Sequence, residues 1–312
     1  MKKGTVGILL KTLPFLGIRF GIYVVTAIAA MLWLGILIFI SGAIGSPQVA
    51  AILFLLGIAG IFGIVKAAGH FVLYFLKAAH IAVITEYLTT GNMPEKGQVK
   101  YGIEKVKSNI GAAASVAVLD ILIRGAVRQV IRIFNTIGSF LSIIPGAAFI
   151  IRLFNLVVET ACNYIDECIL GYIFVSRENN PEANIWKTSA DGIVLYAQNW
   201  KAIGVGAVKT VLMLWVLKAI LYIVSFALFA SSLNMGFFGV LFIALVVWAL
   251  NKAIIDPLAT VNMAKAYFAA IEQNPVPAVD LYEKVSNASS KFRQILDNAG
   301  SAAGGMAQPT NI

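Results

Sequence analysis

The stretch that decides the fold reads DILIRGAVRQVIRIF at residues 120–134 and VVETACNYIDECILGYIF at residues 157–174. In its first segment, an acid and three arginines recur every four residues and share one helical face: Asp120, Arg124, Arg128 and Arg132. In its second segment, three acids and an amide cluster on one helical face: Glu159, Asn163, Asp166 and Glu167. Ionised groups among apolar residues are costly unless they face protein or water. The stretch therefore predicts two helices whose charged faces point into the protein.

The composition indicates an integral membrane protein. Of the 312 residues, 59% are hydrophobic and 12% are charged, whereas about 25% of the residues in a soluble domain are charged. Apolar runs of about 20 residues, the length of a membrane-crossing helix, recur along the chain, and the short alternating segments of a β-barrel do not. The net charge of +9 is assigned to membrane topology rather than to nucleic-acid binding. We expect an all-α polytopic membrane bundle.

Six apolar segments are long enough to cross a bilayer: residues 20–40, 49–88, 110–134, 147–175, 202–230 and 237–271. The second exceeds one crossing, so it should protrude as a stalk or break near Gly60 and Gly63. Pro257 should kink the last segment, and the basic, amphipathic residues 1–19 should lie along the membrane surface. Lys and Arg are concentrated in the terminal segments and between the hairpins. This distribution predicts a multi-pass protein of the cytoplasmic membrane with both termini in the cytoplasm.

Three similar helix exits indicate an internal repeat. They read ITEYLTTGNMPE, YIFVSRENNPE and YFAAIEQNPVP, and each contains one of the prolines Pro94, Pro181 and Pro275. We expect a transmembrane domain at residues 1–275, a cytoplasmic helix at 276–298 and a disordered tail at 299–312. The transmembrane domain should consist of three hairpins with interfacial amphipathic helices, in approximate repeats at residues 1–95, 96–182 and 183–275.

The repeat also predicts which residues lie at equal depth. Counted back from the exit prolines, His80, Glu167 and Val261 occupy matching positions. Polar side chains from the three repeats should therefore meet around a pseudo-axis, forming a chamber that opens to the cytoplasm.

The charged stretch has two interpretations. If its turn lies near Ile143, three matches follow: Arg128 with Glu159, Arg124 with Asn163, and Asp120 with Asp166 and Glu167. Such matches would form a structural ladder of ion pairs. Alternatively, the surplus acid at Asp120, Asp166 and Glu167 binds a cation, and nearby rings supply aromatic faces. The candidate rings are Tyr164, Tyr172 and Trp248. Lys252 and Asp256, four residues apart, form a further candidate pair, with Asp256 beside a broken helix.

The sequence holds no catalytic constellation, so we predict a protein that is not an enzyme and has no cofactor or metal. Cys162 and Cys168 lie on different faces of one predicted helix, which argues against a mutual disulfide. The histidines, His70 and His80, are ten residues apart and do not form a metal motif.

Four segments resemble the choline transporter-like family: HFVLYFLKAAHIAVITEY at residues 70–87, VVETACNYIDECILGYIF at 157–174, SADGIVLYAQNWKAI at 189–203 and ALNKAIIDPLATVNMAKAYFAAIEQN at 249–274. The resemblance covers residues 66–275 and lies in the order and character of the helices. The chain is shorter than that family and lacks its long extracellular loop. It is similar as well to uncharacterised prokaryotic membrane proteins built from repeated hairpins. The first resemblance implies movement of choline or a related organic cation, but no binding residue is carried over.

Two functions follow from these observations. The first is a transporter or channel for a small solute, for which an organic cation is one candidate. Its site would consist of Asp120, Glu159, Asp166 and Glu167, with Arg124 and Arg128 as internal counter-charges. The second is a non-transporting scaffold that binds a cytoplasmic protein or lipid through its amphipathic helices. Membrane lipids are expected partners in both cases, homo-oligomers are compatible with both, and nucleic acid is not an expected partner. A transport site requires a water-accessible acidic cluster, whereas a scaffold requires a dry and fully paired one.

Overall fold

The computed structural model describes residues 4–68, 72–94, 97–110, 118–130, 148–232 and 236–305. Every regular element in these ranges is helical, which confirms the predicted all-α class. The first seven helices are α1 (Thr5–Lys11), α2 (Leu13–Ile44), α3 (Pro47–Ala68), α4 (Tyr74–Thr90), α5 (Gln98–Ile110), α6 (118–130) and α7 (Ala148–Asn179). The remaining helices are α8 (Ile185–Gln198), α9 (Trp200–Ser232), α10 (Gly236–Leu250), α11 (Asp256–Gln273), α12 (Val279–Ala288) and α13 (Ser290–Gly305).

Among the described residues, four helical segments are long and apolar enough to cross a membrane: Leu13–Ile44, Pro47–Lys66, Trp200–Ala230 and Gly239–Gln273. They correspond to four of the six predicted spans, and they identify the chain as a membrane protein. The other two predicted spans, residues 110–134 and 147–175, are not among them. Residues 111–117 and 131–147, which include much of the first of these spans and the turn between the two, lie outside the described residues. The six-span arrangement therefore stays a prediction.

The chain divides into two compact units. Unit 1 contains Met1–Thr12, Lys77–Trp215 and Leu258–Ile312, and unit 2 contains Leu13–Leu76 and Val216–Pro257. Each unit gathers helices from distant parts of the sequence. The predicted threefold repeat follows a different division of the chain and stays a prediction.

Helix α8 lies at the centre of unit 1. Asn184 caps its N-terminus by accepting hydrogen bonds from the backbone N–H groups of Trp186 and Lys187. Nine of its residues are buried, and α7, α12 and α13 pack against it. The C-terminal segment is two helices rather than one, and α13 extends to Gly305, into the segment predicted to be a disordered tail.

Small residues allow close helix contacts in unit 1. A Cβ atom on Gly102 would lie 2.3 Å from the carbonyl oxygen of Ala79, so α5 approaches the backbone of α4 at this point. A Cβ on Gly171 would lie 2.5 Å from Oγ1 of Thr85, on the same helix α4. These glycines hold α5 and α7 against α4, the helix that carries Lys77.

In unit 2, α2 and α3 form a hairpin closed by Gly45, whose φ of 68° is in the left-handed region. The predicted break near Gly60 and Gly63 is wrong, because α3 continues through both residues to Ala68. Gly60 instead faces α2, where an added Cβ would lie 2.2 Å from Nε1 of Trp33. Glycine therefore acts as a packing residue here, as is common between membrane helices.

Helix α2 also packs against α10 and the π-helix Asn251–Ile255 in unit 2. Tyr23 and Trp248 meet edge to face with ring centroids 5.1 Å apart. The π-helix ends two residues before Pro257, where the sequence predicts a kink, and the kink itself stays a prediction. The N–H of Asp256 donates to the carbonyl of Asn251, so the backbone accommodates the proline by widening one turn.

Candidate functional site

Three buried carboxyl groups, Asp120, Asp166 and Glu167, form what we call the acidic cluster of unit 1. Helix α6 contributes Asp120 and Arg124, and α7 contributes the other two acids. Nη2 of Arg124 donates to Oδ2 of Asp166 at 2.5 Å and to Oδ1 of Asp120 at 3.3 Å. The side chain of Asp166 is 0% exposed and that of Asp120 is 10% exposed. A single guanidinium therefore bridges two buried carboxylates from neighbouring helices.

Glu167 joins three helices. Its Oε1 lies 3.5 Å from Nζ of Lys77 on α4, and its Oε2 accepts a hydrogen bond from Oγ1 of Thr260 on α11 at 2.5 Å. The Glu167 side chain is 5% exposed. Thr260 precedes Val261, and Lys77 lies about one turn before His80. Of the three residues that the proline alignment places at one depth, Glu167 takes part in this buried contact, with Lys77 and Thr260 as its partners, and the alignment itself stays a prediction.

The carboxyl groups of Asp120 and Asp166 lie close together, because both contact Nη2 of Arg124. Oδ1 of Asp166 accepts no hydrogen bond from another donor in the described part of the chain. A proton shared by the two carboxyl groups would satisfy that oxygen and remove one unit of negative charge from the cluster. Asp166 thus lies beside a second acid, Asp120, as well as beside Arg124.

Two of the residue pairs predicted from a turn near Ile143 are wrong. Arg124 pairs with Asp166 and Asp120 rather than with Asn163, which lies one turn away on α7 and is exposed. Arg128 and Glu159 are both exposed and form no ion pair with each other. An arginine side chain spans more than one helical turn, so it selects the buried carboxylate over the residue opposite its own backbone.

The remaining candidates have different positions. Lys252 and Asp256 form the pair expected from their spacing, with Nζ and Oδ2 3.0 Å apart, but they belong to unit 2. Trp248 also belongs to unit 2, where it packs on Tyr23. The carbonyl oxygen of Tyr164 accepts a hydrogen bond from the thiol of Cys168, and both cysteines are buried free thiols. None of these contacts gives the acidic cluster an aromatic wall.

Unit 1 contains two further polar networks that sequence reasoning missed. In the first, Lys105 lies 2.9 Å from Oε2 of Glu178 and 4.0 Å from Oε2 of Glu86, which also accepts a hydrogen bond from Tyr101 at 2.8 Å. Burial and the neighbouring Glu86 carboxylate raise the pKa of Tyr101 well above its ordinary value. These residues are distant in sequence, so no local spacing indicated the network.

The second network holds α12 against α8. Asp191 accepts hydrogen bonds from Lys187 and from the hydroxyl of Tyr282. Burial and that bond to Asp191 raise the pKa of Tyr282 well above its ordinary value. The side chains of Phe292 and Ile295 on α13 are fully buried. The C-terminal helices therefore use their apolar faces within unit 1.

Three clefts lined by described residues do not include any member of the acidic cluster. The first, of about 630 Å³, is an apolar groove of unit 2 between α2 and α10. The second, of about 560 Å³, lies between α9 and α11 in unit 1. The third, of about 380 Å³, has Tyr172, Phe268 and Glu272 among its lining residues. The structure thus separates the buried acids from these open clefts.

Comparison of the chain with protein-family models, with curated proteins and with solved structures yields no match.

Proposed function

We propose that this integral membrane protein is a non-transporting scaffold, in which unit 1 presents a fixed helical surface to a cytoplasmic protein. The observation that carries the proposal is the state of the acidic cluster. Each of its three carboxylates has a cationic partner, and none lines the clefts described above. Pairing of this kind supports the proposal, because we expect it of a structural network.

The energetics of buried charge support this role. A buried ion pair adds little net stability, but removal of one partner costs about 3–5 kcal/mol, so such pairs fix which helices pack together. Arg124 selects α7 as the neighbour of α6, and Glu167 joins α7 to α4 and α11. A network of this kind specifies one helix arrangement, which a binding surface requires.

The surface available to a partner is polar. The apolar face of α12 and α13 is buried in unit 1 at Val285, Phe292 and Ile295, so these helices expose charged groups such as Glu283 and Lys284. We propose that these helices and α5 face the cytoplasm and that six segments span the cytoplasmic membrane. The excess of Lys and Arg in the connecting segments supports this orientation.

The native thiols of α7 test whether the acidic cluster is dry. Cys162 lies one turn from Asp166, and Cys168 follows Glu167. In sealed vesicles, a membrane-impermeant maleimide should leave both thiols unmodified until the protein is denatured. Glu178→Cys, at the exposed end of α7, is the positive control and should react from one side. Rapid modification of the native thiols from either side would overturn the scaffold proposal.

A second candidate is transport of a small cation, and two observations favour it. The Asp120–Asp166 carboxyl contact could exchange a proton. The cleft containing Tyr172, Phe268 and Glu272 combines aromatic faces with a carboxylate, which suits an organic cation. The resemblance to the choline transporter-like family supports the same substrate class.

Flux measurements separate the two candidates. Purified protein in liposomes should show no uptake of choline, sodium or protons above empty liposomes if it is a scaffold. If it transports one of these cations, Asp166→Asn combined with Glu167→Gln should abolish the flux, while the exposed control Glu159→Gln should retain it. Flux that survives in the double variant would remove the acidic cluster from the transport path.

A further inference from the structure

The cleft between α9 and α11 of unit 1 has features that the acidic cluster and the scaffold proposal leave unused. The two helices touch where Gly206 meets Ala266, since a Cβ on Gly206 would lie 2.2 Å from Cβ of Ala266. Both residues line the cleft, which has a volume of about 560 Å³. This contact brings two candidate membrane-spanning helices together at the base of the cleft.

The charges lining the cleft favour an anion. Lys209 enters from α9 and Lys265 from α11, and Glu272 is the acidic member of the lining. Lys209 is exposed and forms no ion pair with any residue in the described part of the chain. A lysine within an apolar membrane segment is costly unless it reaches the headgroup region or a counter-charge. The cleft therefore presents a cation that an external anion would stabilise.

The side-chain amide of Asn262, which lines the cleft, already forms hydrogen bonds within the protein. Nδ2 of Asn262 donates to Oγ1 of Thr210 at 2.6 Å, and Oδ1 of Asn262 accepts from Oγ1 of Thr5 at 3.1 Å. These two hydrogen bonds join α1, α9 and α11 and fix the wall of the cleft. Recognition of an anionic ligand is thus left to the lysines and to Gln273, the second amide that lines the cleft.

An apolar strip continues from the cleft along α9. Val205, which lines the cleft, is 58% exposed, and Val208 and Leu212 are 43% and 53% exposed. Their spacing places them on adjoining turns of one helical side. A soluble anion would leave this apolar strip uncovered, whereas the acyl chains of a lipid would cover it.

We propose that this cleft binds an anionic phospholipid. The phosphate group lies against Lys209 and Lys265, and the acyl chains follow the strip formed by Val205, Val208 and Leu212. The assignment rests on charge complementarity together with the adjoining apolar strip. It goes beyond the proposed function and holds for a scaffold or a transporter.

Native mass spectrometry of the full chain in detergent tests the site. Phosphatidylglycerol and phosphatidylcholine with identical acyl chains are titrated against wild type and Lys209→Gln/Lys265→Gln. At about 1 kcal/mol for each lysine near a phosphate surface, the double variant should bind phosphatidylglycerol about 10- to 30-fold more weakly. Phosphatidylcholine binding should change little. Lys107→Gln/Lys218→Gln, with the same change in charge, should behave as wild type.

Further variants test whether the lipid binds in the cleft rather than to surface charge in general. A competition experiment tests whether the site recognises phosphate alone. Ala202→Phe narrows the cleft at an exposed lining residue while keeping both lysines, and it should also lose phosphatidylglycerol. Lys209→Arg/Lys265→Arg should retain it. Equal loss in the Lys107/Lys218 control, or full binding by Ala202→Phe, would overturn the proposal. Displacement of the lipid by millimolar inorganic phosphate would overturn the assignment to a lipid.

Discussion

Inside each of the two units, a different kind of interaction holds the helices together. In unit 1, charged and polar side chains join separate helices: Arg124 links α6 to α7, and Glu167 links α7 to α4 and α11. In unit 2, α2 meets α3 through Gly57 and Gly60 and meets α10 through an aromatic pair. One ion pair in the described part of unit 2, that of Lys252 with Asp256, lies within one helical stretch rather than between helices.

The difference follows from the surfaces that each unit exposes. Helix α3 of unit 2 is apolar on nearly every side, with Phe54 and Phe62 68% and 72% exposed. In lipid, burial of such groups gives no hydrophobic driving force, so packing of small residues must hold the helices together. Unit 1 instead buries its charged groups, and each buried group then requires a specific partner. The comparison predicts that substitutions in the buried ion-pair network act on unit 1, whereas volume substitutions at close glycine contacts act on both units.

The largest effect is expected from Arg124→Gln in unit 1. The substitution leaves Asp120 and Asp166 buried without their shared cation, which should cost about 3–5 kcal/mol of unfolding free energy. Unfolding in a sodium dodecyl sulfate titration measures the loss. Arg128→Gln, on the exposed face of the same helix, is the matched control and should change stability by less than about 0.5 kcal/mol. Equal effects from the two variants would show that the buried bridge has no special role.

Gly60→Ala in unit 2 should have the next largest effect. The new Cβ would lie 2.2 Å from Nε1 of Trp33, so overpacking should destabilise the α2–α3 hairpin by about 1–3 kcal/mol. The thermal unfolding midpoint in detergent measures the change. Gly63→Ala, which meets no atom within 4 Å, should cause no loss. A decrease of the same size in both glycine variants would refute close packing at Gly60.

Glu167→Gln should have a smaller effect than Arg124→Gln. The glutamine can still accept the hydrogen bond from Thr260, and Lys77 is 29% exposed, so solvent compensates part of the lost ion pair. We expect a cost of about 1 kcal/mol in the same titration. Glu159→Gln, exposed on the same helix, should be neutral. A cost as large as that of Arg124→Gln would mean that Lys77 depends fully on Glu167.

Lys284→Gln should have the smallest effect. Lys284 hydrogen-bonds to Asp280 on the exposed face of α12 and lowers the pKa of that carboxyl group. Water and salt screen such a pair, so the thermal midpoint should not change measurably. The contrasting variant is Tyr282→Phe, also on α12, which removes a partly buried hydrogen bond to Asp191 on α8. This variant should lower the midpoint. A clear loss with Lys284→Gln would contradict the view that only buried charges stabilise unit 1.

Local spacing predicted those contacts that lie within one helix. Lys252 and Asp256 pair because residues four apart are neighbours on any helix. The same reasoning failed for Arg124 and Asn163, because a side chain of that length can reach the adjacent turn. It also misread Gly60, since glycine breaks a helix in some settings and packs one in others.

The sequence by itself determined that the chain is helical, that it is apolar enough for a membrane and that Asp120, Asp166 and Glu167 would be buried, whereas Glu159, expected to be buried with them, is exposed. Those properties follow from composition and periodicity, which depend on residues near one another. The tertiary structure decided that Arg124 bridges Asp120 and Asp166, that α12 and α13 pack on α8, and that Lys209 and Lys265 face one cleft. Each of these depends on contacts between residues far apart in the chain, whose geometry is fixed only when the helices pack.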